Sequence, residues 1–219
     1  MTIDTMQMES YYASRAPEYD AFYLKPERQR DLRAIERWLP PIFANATVLD
    51  IACGTGYWAQ FLAPVASRIV GIDASPETLQ IARSRAAGET VSFVVGNAYS
   101  VPLGLGTFSA AFAGFWFSHV PIDRRSEFLN GLDRSLLPGA KVVLLDNRFV
   151  EGNSSPISET DADGNTYQIR TLNDGSKHRV LKNFPTEEDL HGLLANIGAH
   201  GKLTTWEYFW AFEYVASKP

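Results

Sequence analysis

Cysteine is almost missing from this chain: Cys53 stands alone among 219 residues. One thiol excludes an intrachain disulfide framework and fits a reducing, cytoplasmic compartment. Long apolar runs are missing as well, and none approaches the ~20 residues that span a bilayer as a helix. The opening M-T-I-D-T-M-Q-M-E-S has neither a basic n-region nor an apolar h-region, so no secretory signal is expected. A basic excess is also lacking. The 20 Lys and Arg against 25 Asp and Glu leave a net charge of −5, which argues against broad, sequence-independent nucleic-acid binding. There is no internal repeat or low-complexity tract. What is present, 45% hydrophobic and 21% charged residues, suffices for one sizeable core, so a single domain over residues 1–219 is expected.

The most informative stretch is V-L-D-I-A-C-G-T-G-Y-W, Val48 to Trp58, followed about one helix later by Val70-Gly71-Ile72-Asp73. An apolar run stops at a carboxylate, breaks at Gly54 and Gly56, and resumes as a second apolar run ending in an acid. This is strand, glycine loop, helix, strand. Glycines at such a turn admit positive φ and let a ligand approach without a Cβ in the way. The following helix start offers unpaired N–H groups. Asp73, at an exposed strand tip about twenty residues past the first glycine, is placed to grip a ribose diol. The unit binds an adenosine-containing cofactor.

Gly54-x-Gly56-x-x-Ala59 formally satisfies a dinucleotide fingerprint, so the glycines do not choose between cofactors. Asp50 does. A carboxylate on the preceding strand tip would repel the pyrophosphate of a nicotinamide or flavin, but it favours the ammonium and sulfonium of S-adenosylmethionine. The stretch L-D-I-A-C-G-T-G closely resembles the first motif of the class I S-adenosylmethionine-dependent methyltransferases.

Further landmarks follow in that family's order. Gly96-Asn97-Ala98 and Val101-Pro102-Leu103 resemble its G-D-A-x-x-L-P segment, with an amide, Asn97, where the family has an acid toward the adenine amino group. Phe108 to Val120 is similar to the fourth-strand motif, and Leu136 to Leu144, through Pro138-Gly139, matches the stop-helix, start-strand signature before strand five. The resemblance implies S-adenosyl-L-methionine as cofactor, S-adenosyl-L-homocysteine as product and a small-molecule acceptor of quinone or natural-product type. It implies a Rossmann-like, doubly wound α/β fold with a mostly parallel seven-stranded sheet and an antiparallel last strand. Asp50 and the Ala52-Cys53-Gly54-Thr55-Gly56 loop would hold the methionine end, Asp73 with Ala74 the ribose, and Asn97-Ala98 the adenine. The stretch Tyr12 to Asp20 is similar to an N-terminal lid of relatives, and tyrosines packed at a helix interface are the alternative.

Punctuation gives the remaining organisation. Helical pieces are expected over residues 6–23 and 26–39, the second ended by Pro40-Pro41; that 1–41 forms a lid is what the resemblance implies. Helices are expected through Trp58-Phe61-Leu62, from Ser75-Pro76 to Gly88, from Asp123 through Leu136, and from Thr186 to Gly198. Lys202 to Ser217 reads as two antiparallel strands joined near Phe209. Residues 151–185 interrupt the alternation: Tyr167–Leu172 and His178–Phe184 flank Asn173-Asp174-Gly175-Ser176, a hairpin signal. An insertion after strand five lies beyond the carboxyl ends of the strands, as a substrate lid would; a hairpin extending the sheet edge is the other reading.

Methyl transfer from a sulfonium needs alignment and exclusion of water, and a base only where the nucleophile must lose a proton. His119, after strand four, is the candidate catalytic base, since its ordinary pKa suits neutral pH; a helix-capping or core role is the alternative. Of Phe115-Trp116-Phe117, one residue is expected to line the pocket, with Phe115 the candidate for the sulfonium. Asp146-Asn147 resembles part of a magnesium-binding pair, but strand four ends without an oxygen ligand and no metal is expected. Cys53 reads as a small buried residue. Arg170, Lys177, His178, Arg179 and Lys182 make the hairpin basic, as a solvated face or as a dock for an acidic substrate group. Two other functions stay open: a non-catalytic S-adenosylmethionine-binding protein and an NAD(P)-dependent oxidoreductase.

Overall fold

Among the described residues, five α-helices and a seven-stranded sheet arise where the apolar runs and caps place them. The computed structural model describes residues 11–12, 15–85, 88–102 and 104–217. Residues 1–10, Ala13 and Ser14 of the expected lid and Leu103 of the Val101-Pro102-Leu103 motif lie outside the described residues. After a 3-10 helix, Ala16–Leu24, come α1 (Gln29–Trp38), β1 (Thr47–Ile51), α2 (Ala59–Leu62), β2 (Arg68–Asp73), α3 (Pro76–Arg85) and β3 (Val91–Val95). Then follow β4 (Phe108–Gly114), α4 (Arg125–Asp133) and β5 (Leu136–Asn147). The insertion contributes β6 (Glu159–Thr160), β7 (Thr166–Thr171) and β8 (Lys177–Leu181). The chain closes with α5 (Glu187–Ile197), β9 (Gly198–Thr205) and β10 (Phe209–Ala216).

The main sheet runs in the order β3-β2-β1-β4-β5-β10-β9. Every neighbour pair from β3 to β5 is parallel, and β10 is antiparallel to both β5 and β9. The last strand is therefore the one that runs against the rest. The connections diverge on either side of the β1/β4 pair, and such a switch point opens a crevice at the strands' carboxyl ends.

The pleat explains why these strands are apolar on both faces. Leu49, Ile51, Val70, Ile72, Val142 and Leu144 enter one core layer, with Phe128 and Leu132 of α4 and Leu190 of α5. Their alternates Val48, Ile69, Ala110, Phe112, Val143 and Leu145 enter the other, with Leu32 and Ile35 of α1 and Leu39 just after it. Caps act where the sequence put them: Ser75 Oγ accepts the Thr78 N–H, and Thr186 and Asp189 form a reciprocal capping box before α5.

Several boundaries differ from expectation. Leu136 begins β5 instead of ending α4, because the helix stops at Asp133 and the chain passes straight into pairing with Phe108. β9 starts at Gly198, four residues before the expected strand, where it pairs with Ala216. Trp58 stands at the N-cap position just outside α2, and α2 itself has only four residues. The inserted hairpin forms as read, with Tyr167 opposite Leu181 and Thr171 opposite Lys177, and gains a third short strand in β6.

Candidate active site

Two cavities open at the carboxyl ends of the strands. The larger, about 500 Å³, is bounded by the loops after β1, β2, β3 and β4 and by the insertion. Seven of the sequence-predicted cofactor residues line it: Ala52, Gly54, Asp73, Ala74, Asn97, Ala98 and Phe115. His119 lines it as well. Asp50, Cys53 and Gly56 are not on its wall. Asp50 is 2% exposed and lies beneath the loop. Cys53 has its Sγ in the space a Cβ on Gly71 would need, and burial holds its thiol well above the usual range, which makes it an inert packing residue. Gly56 takes φ +70°, and a Cβ there would press on Ala82 of α3; the glycine serves close helix–loop packing.

Asp73 differs from the expected exposed tip. Its carboxylate is half-buried and accepts from the backbone N–H groups of Gly54 and Ser75, each at 2.9 Å, and from the Thr78 hydroxyl at 3.2 Å. It therefore ties the glycine loop to α3. A carboxylate has about four acceptor positions, so room is left for a ligand hydroxyl. Burial raises its pKa, with the backbone donors opposing the shift. Asp50 is pushed up to about 8, chiefly by desolvation and further by the Asp73 charge. Two non-glycine residues on the cavity wall hold left-handed backbone, Ala52 at φ 52° and Phe115 at φ 60°. Such residues cost on the order of 1–3 kcal/mol and cluster at ligand sites.

The charge of this wall selects the ligand. Asp73, Glu77, Asp123, Asp161 and Asp163 line it against one cation, Arg124, whose charge is met by Glu127 at 2.7 Å. A pyrophosphate would be repelled here, whereas the sulfonium and ammonium of S-adenosylmethionine are favoured. This acidic lining fits that cofactor, with Asp50 buried beneath the loop rather than on the wall.

The second cavity, about 370 Å³, shares Tyr12, Tyr19, Phe115 and His119 with the first. These four residues form the junction. Tyr12 donates to His119 Nε2 at 2.7 Å, and the other ring nitrogen faces the Leu181 carbonyl of β8. A carbonyl only accepts, so Nδ1 carries the proton and Nε2 is the acceptor. Burial first, then the charges of Lys182 and Arg170, hold the imidazole pKa well below its ordinary value, against the near-neutral value expected from sequence. Of the aromatic trio, Phe115 and Trp116 both line the larger cavity while Phe117 is fully buried in the core. Two residues reach the pocket where one was expected.

Sequence reasoning missed several pairings. Lys182, read as part of a basic hairpin, is 3% exposed and bonds Asp146 at 2.7 Å and Ser118 Oγ at 2.6 Å. Asp146 also accepts from the Ser118 and Asn147 N–H groups, so its oxygens are engaged within the protein. Asn183 bonds the Ser118 and Val120 carbonyls, which moors the insertion to the turn after β4. Asp20, just past the tyrosines, pairs with Arg85 of α3 and accepts from Thr55 in the glycine loop at 2.7 Å. The pair Tyr12 and Asp20 brackets the N-terminal segment over the cofactor cavity. Acid and aromatic residues in one short segment were the available signal.

Comparison with known proteins agrees. Residues 48–139 match the family model described as a methyltransferase domain. A demethylmenaquinone methyltransferase of Lactiplantibacillus plantarum is 33% identical over 110 residues, which cover 47% of this chain and 46% of that protein. The chain spans about half the length of such curated relatives. A malonyl-[acyl-carrier protein] O-methyltransferase of Serratia marcescens is 25% identical over 90% of this chain and 80% of its own. The solved structure of DhpI in complex with SAH superposes with a TM-score of 0.80 at 26% identity, covering 98% of this chain and 97% of that one. The fold is that of solved S-adenosylmethionine-dependent methyltransferases, and residues 48–139 carry the methyltransferase-domain match. The two relatives named above are described as methylating demethylmenaquinone and malonyl-[acyl-carrier protein]. No helix among the described residues is long and apolar enough to cross a membrane.

Proposed function

We propose that this protein is an S-adenosylmethionine-dependent methyltransferase acting on a small-molecule acceptor. The cofactor, when bound, supplies a methyl group already activated on a sulfonium, for in-line displacement onto the acceptor. One observation carries the reading: an acidic cavity built by the glycine loop meets a second cavity of about 370 Å³ at Tyr12, Tyr19, Phe115 and His119. Two ligand spaces sharing one wall can bring two reactants together.

In this reading Asp50, Ala52, Cys53, Gly54 and Gly56 form and support the methionine end, directly or from beneath. Asp73 and Ala74 hold the ribose, Asn97 and Ala98 the adenine, and Phe115 the wall at the junction. His119 is the catalytic base for an acceptor that carries a proton: Tyr12 takes that proton as its own passes to Nε2, along the existing 2.7 Å bond. The segments 1–41 and 151–185 exclude water as lids of a single domain, supported by the Asp20–Arg85 pair and by the Asn183 and Lys182 moorings. A cytoplasmic location belongs to the same proposal and is supported by the single free thiol.

The test is incubation with isotopically labelled S-adenosylmethionine and cell extract, followed by mass spectrometry. A labelled small metabolite is expected. Cofactor binding without transfer of label would identify a non-catalytic binder, and co-purified nicotinamide would restore the oxidoreductase.

A further inference from the structure

The second cavity is charged against the grain of the molecule. The chain carries a net charge of −5, yet this wall presents Arg15, Lys25, Arg28, Arg170 and Lys182 with one carboxylate, Glu18. Glu18 accepts from the Asn173 backbone N–H. The Lys182 charge is met by Asp146 at 2.7 Å. The three guanidiniums are satisfied differently.

Arg28 is 8% exposed, and its two Nη groups donate to neutral amides, Asn147 Oδ1 at 3.3 Å and Asn153 Oδ1 at 3.2 Å. Its Nε, also buried, has no hydrogen-bond partner. Arg170 donates to the neutral amide oxygen of Gln168 at 3.1 Å. Arg15 lies over the ring of Tyr19, 4.9 Å from its centroid. Burying guanidiniums against amides and rings is costly unless an anion completes the site. The groups also sense one another: Arg170 and Arg15 both add to the burial that lowers the Lys182 pKa. Forked N–H donors converging on one small space match the oxygens of a carboxylate or a phosphoryl group.

We propose that the methyl acceptor carries an oxyanion, carboxylate or phosphoryl, that docks among Arg15, Arg28 and Arg170. This rests on the methyltransferase reading and narrows it to a substrate class. The two cavities then divide by charge, cationic cofactor on one side of Tyr12 and Phe115 and anionic acceptor on the other. An anion seated there also offsets the cations that depress His119, which raises the proton affinity of the proposed base.

Calorimetry on the full chain saturated with S-adenosylhomocysteine tests this, at constant ionic strength, with inorganic phosphate, acetate and neutral acetamide as probes. At least one anion is expected to bind and acetamide not; the tighter of phosphate and acetate tells phosphoryl from carboxylate. Arg28→Met and Arg170→Met should each weaken the anion about tenfold or more while S-adenosylhomocysteine affinity is unchanged. Arg170, on the half-exposed hairpin, serves if the buried Arg28 variant fails to fold. If neither anion binds a protein that holds S-adenosylhomocysteine, or if both variants bind the anion like wild type, the inference falls and the methyltransferase reading stands. If S-adenosylhomocysteine itself does not bind, the cofactor reading falls and takes the inference with it.

Discussion

Tyr12 and His119, 107 positions apart, are joined by a 2.7 Å hydrogen bond at the wall between the two cavities. The bond fixes the imidazole as an acceptor at Nε2, and the Leu181 carbonyl fixes the proton on Nδ1. N-terminal segment, strand-four turn and inserted hairpin therefore meet on a single ring. His119→Ala is expected to lower turnover about a hundredfold with cofactor affinity barely changed. The folded pKa is depressed, so the neutral ring persists as pH falls below the usual 6.5. The kcat/KM profile, which reports the free protein, should stay flat from neutral pH through about 6 and drop only further down. By the same linkage, any stability this histidine contributes is present above its unfolded pKa and lost as pH falls through the folded one. A kcat/KM profile that halves near 6.5, or an alanine variant with near-wild-type turnover, sinks the base.

Asp73→Ala should weaken S-adenosylhomocysteine binding by roughly ten- to hundredfold, since hydrogen bonds to a charged acceptor are worth about 1.5–3 kcal/mol. It should also lower stability, because the Gly54 and Ser75 N–H groups and the Thr78 hydroxyl lose their acceptor. Calorimetry and urea unfolding read the two effects separately. Unchanged affinity in a folded variant would mean the ribose lies elsewhere.

Lys182→Met leaves Asp146, fully buried, without its cation. Removing one partner of a buried pair costs about 3–5 kcal/mol, whereas replacing both with apolar groups of similar volume is often near neutral. Urea unfolding should therefore show the Lys182→Met variant strongly destabilised and a Lys182→Met, Asp146→Leu double variant largely recovered. A single variant as stable as wild type contradicts the pairing.

How much of this was legible in the sequence depended on distance along the chain. The glycine loop, Asp73 and the Ser75 and Thr186 caps are written in neighbouring residues, and the structure has them there. Leu136 misled because its apolar spacing continues that of α4 while its partner, Phe108, lies in another strand. Lys182 read as part of a basic hairpin because its partner Asp146 is 36 positions away, and Arg28, inside the expected 26–39 helix, drew no reading of its own because Asn147 and Asn153 are more than a hundred positions away. Local pattern names elements; which charges they bury is decided by topology.

Ala52 holds φ 52° on the cofactor wall, a conformation that glycine adopts without cost. Ala52→Gly relieves that strain but loosens the unfolded chain, so a net change within about 1 kcal/mol is expected, with cofactor affinity retained. Any other side chain should destabilise: Ala52→Val is expected to lower the thermal midpoint clearly. A tolerated valine would show that the backbone there is not left-handed.

The identity of the cofactor decides the whole account, and calorimetry with S-adenosylhomocysteine and with NAD, run side by side near pH 7, measures it. We predict micromolar-range binding of S-adenosylhomocysteine and no measurable binding of NAD. Asp50, pushed up to about 8 in the free protein, is protonated there and gives up its proton when an ammonium arrives. Its folded pKa exceeds the unfolded one, so ionising it costs stability as pH rises toward 8, and a bound cation offsets that cost. Binding should therefore release protons, visible as a heat that changes with the buffer's ionisation enthalpy, and this release should vanish in Asp50→Asn. Preferential binding of NAD would contradict the account at its centre.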